Sequence, residues 1–552
     1  MLQKHSTLHV LIRKYCGLVV AAGATLLLLM GAARADDDSD RSRHDMKLVG
    51  TNDLQQRSTY QPTVHKYPHG KYILFAGHHA LGLQGENLLP GAKTLPSFNP
   101  LTNMNELNGT SIVDVTDPKK PKYLFHLPVS DGAAGGAQMV RVCDGSTLPT
   151  HNSKIYMLRT YANSAHEIWD VTDPSHPVGV RTVAGKNPVI GANTGAPGAL
   201  AGTHKSWWEC DTGIAYIVGR RGNDTNDHWA SGNHIFIFDV SNPANPKFLR
   251  DWALDGQQPG GVVLPNFPNG VPTIHGPIST GPAGGTIALA GATAGRVYFA
   301  FGTGSNGVMQ IVDRTKLLPP PFGTGVTCGS ISSTLTPPAC TDFHTAELGR
   351  LIMEPKNGAH SSFPIGRITV PDFVTDTDND DGNTTRDIVV VTSEATAHFC
   401  SEFRHLTFMT DVSTEGRPQS IATAQVPASE GGFCDIGGRF GPHATNEEFG
   451  PPFYKKIVFV SYFNAGIRAF DIRDPYNPVN VASFIPAITK NTDFRCGPYQ
   501  GNPNVCVRVI QTNNVATDDR GYIYIVDRAN TGLHILRLEG DAEEIVQGDK
   551  DK

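Results

Sequence analysis

The sequence predicts an all-β protein, a seven-bladed β-propeller closed by its N-terminal strand and carrying long loop insertions. Three observations predict it. An aspartate-centred strand–turn–strand unit recurs along the chain, a second β-rich run precedes each copy, and a strand-like segment near the N-terminus matches the outer strand that the last copy lacks.

Aligned on the aspartate, the copies are SIVDVTDPKKPKYLFHL at Asp114, EIWDVTDPSHPVGVRTV at Asp170, FIFDVSNPANPKFLRDW at Asp239, a degenerate QIVDRTKLLPP at Asp313, FMTDVSTEGRPQSIATA at Asp411 and RAFDIRDPYNPVNVASF at Asp471. A seventh, LHILRLEG at residues 533–540, keeps the strand and loses the turn. Proline fixes φ and removes a ladder donor, so Asp/Asn-Pro-x-x-Pro stops one strand and sets a tight turn before the next. The runs KYILFAG, KIYMLRT, GIAYIVG, GRVYFAFG, DIVVVTS, KIVFVSY and GYIYIVD precede the copies, again seven. Successive aspartates lie 56 to 98 residues apart, more than the roughly 40 to 50 of minimal propeller repeats, which implies insertions on a four-stranded unit. HDMKLVGTNDL, residues 44–54, reads as the outer strand of the last blade, closing the ring and protecting its edge.

The chain divides into a signal peptide at residues 1–35, a polar linker at 36–45, the propeller at 46–540 and a polar tail at 541–552. Lys4, Arg13 and Lys14 precede an apolar run ending in Ala-Arg-Ala before Asp36, the pattern of a cleaved secretory signal. The run is at the short end for a membrane anchor, so the expectation is a periplasmic or secreted protein with no span after cleavage. Nine cysteines less Cys16 of the signal leave eight, an even number in an oxidising compartment. Cys328 with Cys340 and Cys496 with Cys506 are close enough to staple their own loops; Cys400 with Cys434 and Cys143 with Cys210 complete the set. Formal net charge is −6 and no basic cluster stands out, which argues against a nucleic-acid partner.

The recurring unit resembles the LVIVD repeat of bacterial exported propeller proteins over roughly residues 46–540. More distantly, IRAFDIRDPYNP resembles a blade of the selenium-binding protein and methanethiol oxidase family, and that resemblance implies copper held by histidines.

On the residues themselves, five of the seven units carry a histidine ahead of the second strand: His65, His204, His275, His360 and His443. The other two offer Gln138 and Asn513 or Asn514. This position opens the innermost strand, so such side chains converge on the axis, where imidazoles suit copper, iron or zinc. The alternative is that they hydrogen-bond neighbouring blades. Loops after the second strands reach the same face and bring His78, His79, Arg220, Glu394 and His398; a carboxylate there could orient ligands or act as a general base. Glu209 and Glu394 are the candidate bases, and Trp207 and Trp208 could wall a pocket for an apolar substrate or pack between blades. DTDNDDGNTTRD spaces Asp376, Asp378, Asp380 and Asp387 like a calcium loop, although Gly382 falls one residue late and an acidic solvated turn fits as well.

Three functions follow from this pattern: a metalloenzyme acting on a small molecule, with oxidase-like chemistry favoured by the resemblance; a metal-dependent hydrolase of an ester or phosphotriester; or a non-catalytic periplasmic or surface binding scaffold.

Overall fold

The computed structural model describes residues 42–79, 97–129, 136–185, 190, 200–221, 232–258, 271–280, 295–304, 306–325, 343–375 and 382–548. Its strands form seven successive antiparallel units. Blade one pairs Thr59–Lys66, Tyr72–His78, Gly109–Asp114 and Lys122–Pro128 in that order. Blade two is Val140–Asp144, Ile155–Tyr161, Ala165–Asp170 and Val178–Gly185. Blade three is Ser206–Trp208, Ile214–Arg221, His234–Asp239 and Lys247–Trp252. Blade four has Arg296–Phe301, Val308–Asp313 and Glu347–Ile352, with Ile274 and Ser279 bridging to the first of these from the inside. Blade five is Ser361–Thr369, Thr385–Thr392, Thr407–Asp411 and Gln419–Ala424. Blade six runs Phe440–Thr445, Ile457–Phe463, Ile467–Asp471 and Val479–Phe484. Blade seven is Thr512–Thr517, Tyr522–Asp527 and Gly532–Leu538, and its outer strand is Met46–Asn52. The two ends of the chain thus share one sheet, as the N-terminal pattern predicts.

The repeated aspartate has one local job. Its Oδ1 accepts the backbone N–H two residues on in every copy that has it: Asp114 from Thr116, Asp170 from Thr172, Asp239 from Ser241, Asp313 from Thr315, Asp411 from Ser413 and Asp471 from Arg473, at 2.8 to 3.0 Å. These are Asx turns, which replace the ladder partner that proline cannot supply. In the degenerate copy the same contact starts a single helical turn, Arg314–Leu317, instead of a strand.

The core lies between blades. One cluster joins Leu74 and Val113 of blade one to Tyr524, Leu533 and Ile535 of blade seven, with Leu54 of the connecting turn between them, and a larger one runs from Trp207 through Phe299 and Phe363 to Val460. Each such buried side chain contributes roughly 1.5 to 3 kcal/mol by leaving water, so adjacent sheets hold each other face to face.

Two segments at the ends are more ordered than the sequence suggests. Arg43 and His44, placed in the linker, pair with Phe484 and Ser483 at the edge of blade six. Gly540–Gln547, most of it placed in the polar tail, is a helix that buries Ala542 and packs Ile545 and Val546 on the apolar face of blades six and seven. The signal-peptide segment lies outside the described residues. Three disulfides, Cys143–Cys210, Cys400–Cys434 and Cys496–Cys506, match the expected pairs; Cys328 and Cys340 lie outside the described residues. Among the described residues no helix is long and apolar enough to cross a membrane.

Candidate functional site

Four of the five expected histidines meet on the axis. Ring centroids of His204 and His275 are 4.2 Å apart, His275 and His360 5.4 Å, and His360 and His443 4.6 Å. Tyr60 closes the circuit, 5.5 Å from His204 and 5.4 Å from His443, with its hydroxyl 3.3 and 3.1 Å from their Nε2 atoms. Local backbone makes this approach possible. A Cβ on Gly276 would lie 1.4 Å from the carbonyl oxygen of His360, so only glycine lets blade four pass that close to blade five beside His275.

Glu394 stands over the ring. It follows the second strand of blade five, and its neighbours clamp it: Glu394 N–H donates to Thr303 O of blade four, and Ala395 N–H to Pro442 O of blade six. Its carboxylate oxygens lie 3.6 Å from His275 Nε2, 3.7 Å from His360 Nε2 and 3.8 Å from His443 Nε2, while Arg439 donates to Oε1 at 3.2 Å. The ligand atoms of His275, His360 and Glu394 all lie within 4.8 Å of one another. Bonds of about 2.0 to 2.2 Å from one metal to two such atoms span separations of roughly 3 to 4 Å, so the spacing suits a shared ion and is too long for a hydrogen bond.

Protonation follows from burial. Desolvation holds His204 and His360 well below the usual imidazole range, lowers His275, and brings His443 down to about 3. Burial alone would raise the Glu394 carboxyl, but the guanidinium of Arg439, donating to Oε1, favours its ionised form. The consistent state is an anionic Glu394 paired with Arg439 and facing neutral imidazoles. His443 donates its Nδ1–H to the Asn513 carbonyl at 2.7 Å, which fixes the tautomer and leaves the Nε2 lone pair directed inward. His360 is fully buried, and neither of its ring nitrogens has a hydrogen-bond partner; nor does Oε2 of Glu394.

His65 does not join the ring. It pairs with Ile73 at the start of the second strand and binds Asp144 at 3.1 Å. His360 N–H, by contrast, donates to Thr392 at the end of its second strand. His65 is therefore at the far end of the innermost strand, and Tyr60, five residues earlier, takes the axial place. The signal was the linker to the second strand, seven residues from His65 to Tyr72 against ten or more for the others.

Glu209 is also displaced from the role expected of it. It is fully buried away from the axis, where Arg314 binds both of its oxygens and the Tyr216 hydroxyl donates to Oε1, a structural ion pair. Trp207 and Trp208 are core residues of blade three and line a smaller cavity with His65 and Glu448, not the chamber over the histidines. His78 is locked between Thr59 and Ser111. His398 bridges to Arg439 through the backbone and does not line the chamber. Of the calcium-type loop, Asp376, Asp378 and Asp380 lie outside the described residues; Asp387 is buried on a strand of blade five and bound by Arg367 at 3.0 Å. His79 and Gln138 do line the chamber, a cavity of about 390 Å³ opening above Glu394.

Beneath the ring a second tier of charge is sealed in. Lys205 Nζ lies 4.3 Å from the Tyr60 ring centroid and donates to Gln61, Gln61 donates to Glu447, and Glu447 pairs with Arg141. Burial lowers Lys205 to about 8.

No family model matches the chain, and no curated protein does. Among solved structures it is similar to the Dos1 propeller (10% identity, TM-score 0.40, 90% of this chain and 96% of that one). It is also similar to the α-L-arabinanase of Penicillium chrysogenum (10%, 0.39, 78% and 98%) and to a hypothetical selenium-binding protein from Sulfolobus tokodaii (12%, 0.39, 80% and 89%). Identities this low leave the chemistry of the site to its own geometry.

Proposed function

We propose that this chain is an exported metalloenzyme that acts on a small molecule at the axial site, with His275, His360 and Glu394 as the core of the metal shell and His204 and His443 completing it. One observation carries the reading: the buried Nε2 of His360, without a hydrogen-bond partner, faces the equally partnerless Oε2 of Glu394 across 3.7 Å. A buried polar atom without a partner costs about 1 to 3 kcal/mol, and several at one point are repaid together by a shared cation.

The imidazole-rich set suits copper or iron, and oxidase-like chemistry is favoured by the distant resemblance to the copper-binding methanethiol oxidase propellers. When bound, such an ion would supply a one-electron couple or Lewis acidity. A zinc-dependent hydrolase is the second reading, supported by the ionised Glu394, whose carboxylate could accept a proton from water. The three disulfides are compatible with an extracellular protein, in keeping with a periplasmic or secreted location.

Elemental analysis of the mature protein, after incubation with each of copper, iron and zinc and removal of excess, tests this. Close to one tightly held copper or iron per chain supports the oxidase reading, and zinc alone supports the hydrolase. Retention of none of them returns the protein to a binding scaffold.

A further inference from the structure

Glu394 belongs to the connection between Thr385–Thr392 and Thr407–Asp411 of blade five, and a carboxylate on a loop serves a metal only if the loop itself is fixed. Two anchors fix it, one on each side of Glu394. Before it, Ser393 donates its backbone N–H to Leu406 O at 3.1 Å, which closes the loop, and its Oγ accepts the Gly358 N–H at 3.0 Å. After it, Glu402 folds back across the loop. Its carboxylate takes the N–H groups of Thr396 and Ala397 at 2.6 and 2.8 Å and the Thr396 hydroxyl at 2.7 Å.

One imidazole stands between the two anchors. Ser393 Oγ already accepts from Gly358, so its own hydrogen points at His405 Nδ1, 2.9 Å away. The N–H of the ring is then on Nε2, 3.3 Å from Glu402 Oε2. That second contact is close but short of hydrogen-bond alignment, which leaves the Ser393 bond as the stronger hold. His405 is only 2% exposed. A Cβ on Gly304 of blade four would lie 3.2 Å from both the Glu394 carbonyl oxygen and His405 Cε1, so the neighbouring blade closes on the imidazole and on Glu394 together. An apolar side chain in place of His405 would fill the same space and leave the Ser393 hydroxyl without an acceptor, one residue from Glu394.

We infer that His405 is a positioning residue of the axial site: by accepting from Ser393 and facing Glu402 it fixes the Glu394 carboxylate at the distances from His275, His360 and His443 that a shared ion requires. The inference rests on the reading of Glu394 as a member of the metal shell. His405 acts through the loop, with one ring nitrogen on each anchor. Partners of this kind, which hold a ligating group in place, change metal affinity by about 10- to 100-fold.

The test is a double-mutant cycle of His405→Ala and Glu394→Gln in the mature protein, titrated separately with copper(II), iron(II) and zinc in competition with a chelating dye. Affinity is read per folded molecule for whichever of the three the wild type holds tightest. His405→Ala alone should weaken it about 10- to 100-fold. His405→Asn, whose Oδ1 can accept from Ser393 where Nδ1 did, should recover most of that loss. In the Glu394→Gln background the same His405→Ala change should alter affinity less than about twofold, because the carboxylate it positions is gone. An imidazole that only supports the fold predicts something else: lower stability in both backgrounds, with affinity per folded molecule unchanged. If His405→Ala does not fold, Ser393→Ala takes its place in the cycle, since it removes the hydroxyl and keeps the ring. Equal losses of affinity in the two backgrounds, or none in either, overturn the inference and leave the metal site standing. A wild type that holds none of the three metals overturns the site and the inference with it.

Discussion

Glu394 Oε2 and His360 Nε2 face each other at 3.7 Å, both buried, neither hydrogen-bonded. The carboxylate comes from a loop and the imidazole from the start of an innermost strand of the same blade, and the blades on either side hold the loop at Glu394 and Ala395. Glu394→Gln keeps the shape and removes the charge. It should lower metal affinity by 10-fold or more, read per folded molecule by competition with a chelating dye; the urea midpoint of the metal-free protein falls as well, because the buried pair with Arg439 is broken. Unchanged affinity would place Glu394 outside the shell.

The Asx turns predict a different kind of loss. Asp239 holds the backbone N–H and the hydroxyl of Ser241, so Asp239→Ala should cost about 1 to 2 kcal/mol of stability with metal bound per folded molecule unchanged. Equilibrium urea unfolding beside elemental analysis reads both quantities. A loss of metal in this variant would mean that the repeat aspartate reaches the axis, which its position at the end of the third strand forbids.

Acid should destabilise the fold through buried histidines remote from the site. Desolvation lowers His534 on blade seven to about 4, below its ordinary value near 6.5 in the unfolded chain. Between those values the unfolded state binds the extra proton, so stability is full above pH 6.5 and falls as pH drops toward 4, by about 1.4 kcal/mol per unit. From pH 7 to pH 5 the wild type should lose about 2 kcal/mol more than His534→Leu, measured by urea unfolding of the metal-free protein at each pH. Parallel losses in the two proteins would contradict this.

Much of this architecture was legible because the repeat writes it out. The aspartates mark where third strands end, and the run before each marks a second strand, so the seven units, the N-terminal closing strand and the face that gathers His204, His275, His360, His443 and Glu394 follow from spacing. What depends on register was not legible. His65 has the same Pro-Thr-x-His context as His275, yet a short connection slides it to the opposite end of its strand and gives its place to Tyr60. Glu209 and the tryptophans follow His204 directly, but alternation along Ser206–Trp208 and the turn after it send them into the core. Arg439 belongs to no motif; it matters only because distant segments meet at one mouth.

The disulfides should differ in their effect. Cys143–Cys210 ties blade two to blade three across 67 residues, whereas Cys496–Cys506 spans 10 within one hairpin. Alanine at both members of the first pair should cost about 2 to 5 kcal/mol, and at the second pair less, since the loop it closes is shorter. Thiol titration of the oxidised protein in denaturant checks the premise, because either pair found free removes its contribution.

Metal stoichiometry of His360→Ala beside His65→Ala tests the central claim most directly. The two residues are alike in type and in their place ahead of a second strand, but one lies in the ring under Glu394 and the other on Asp144 at the far end of blade one. With equal amounts of folded protein confirmed by circular dichroism, His360→Ala should retain little or no metal and His65→Ala the wild-type amount. Equal metal content in the two variants would contradict the site.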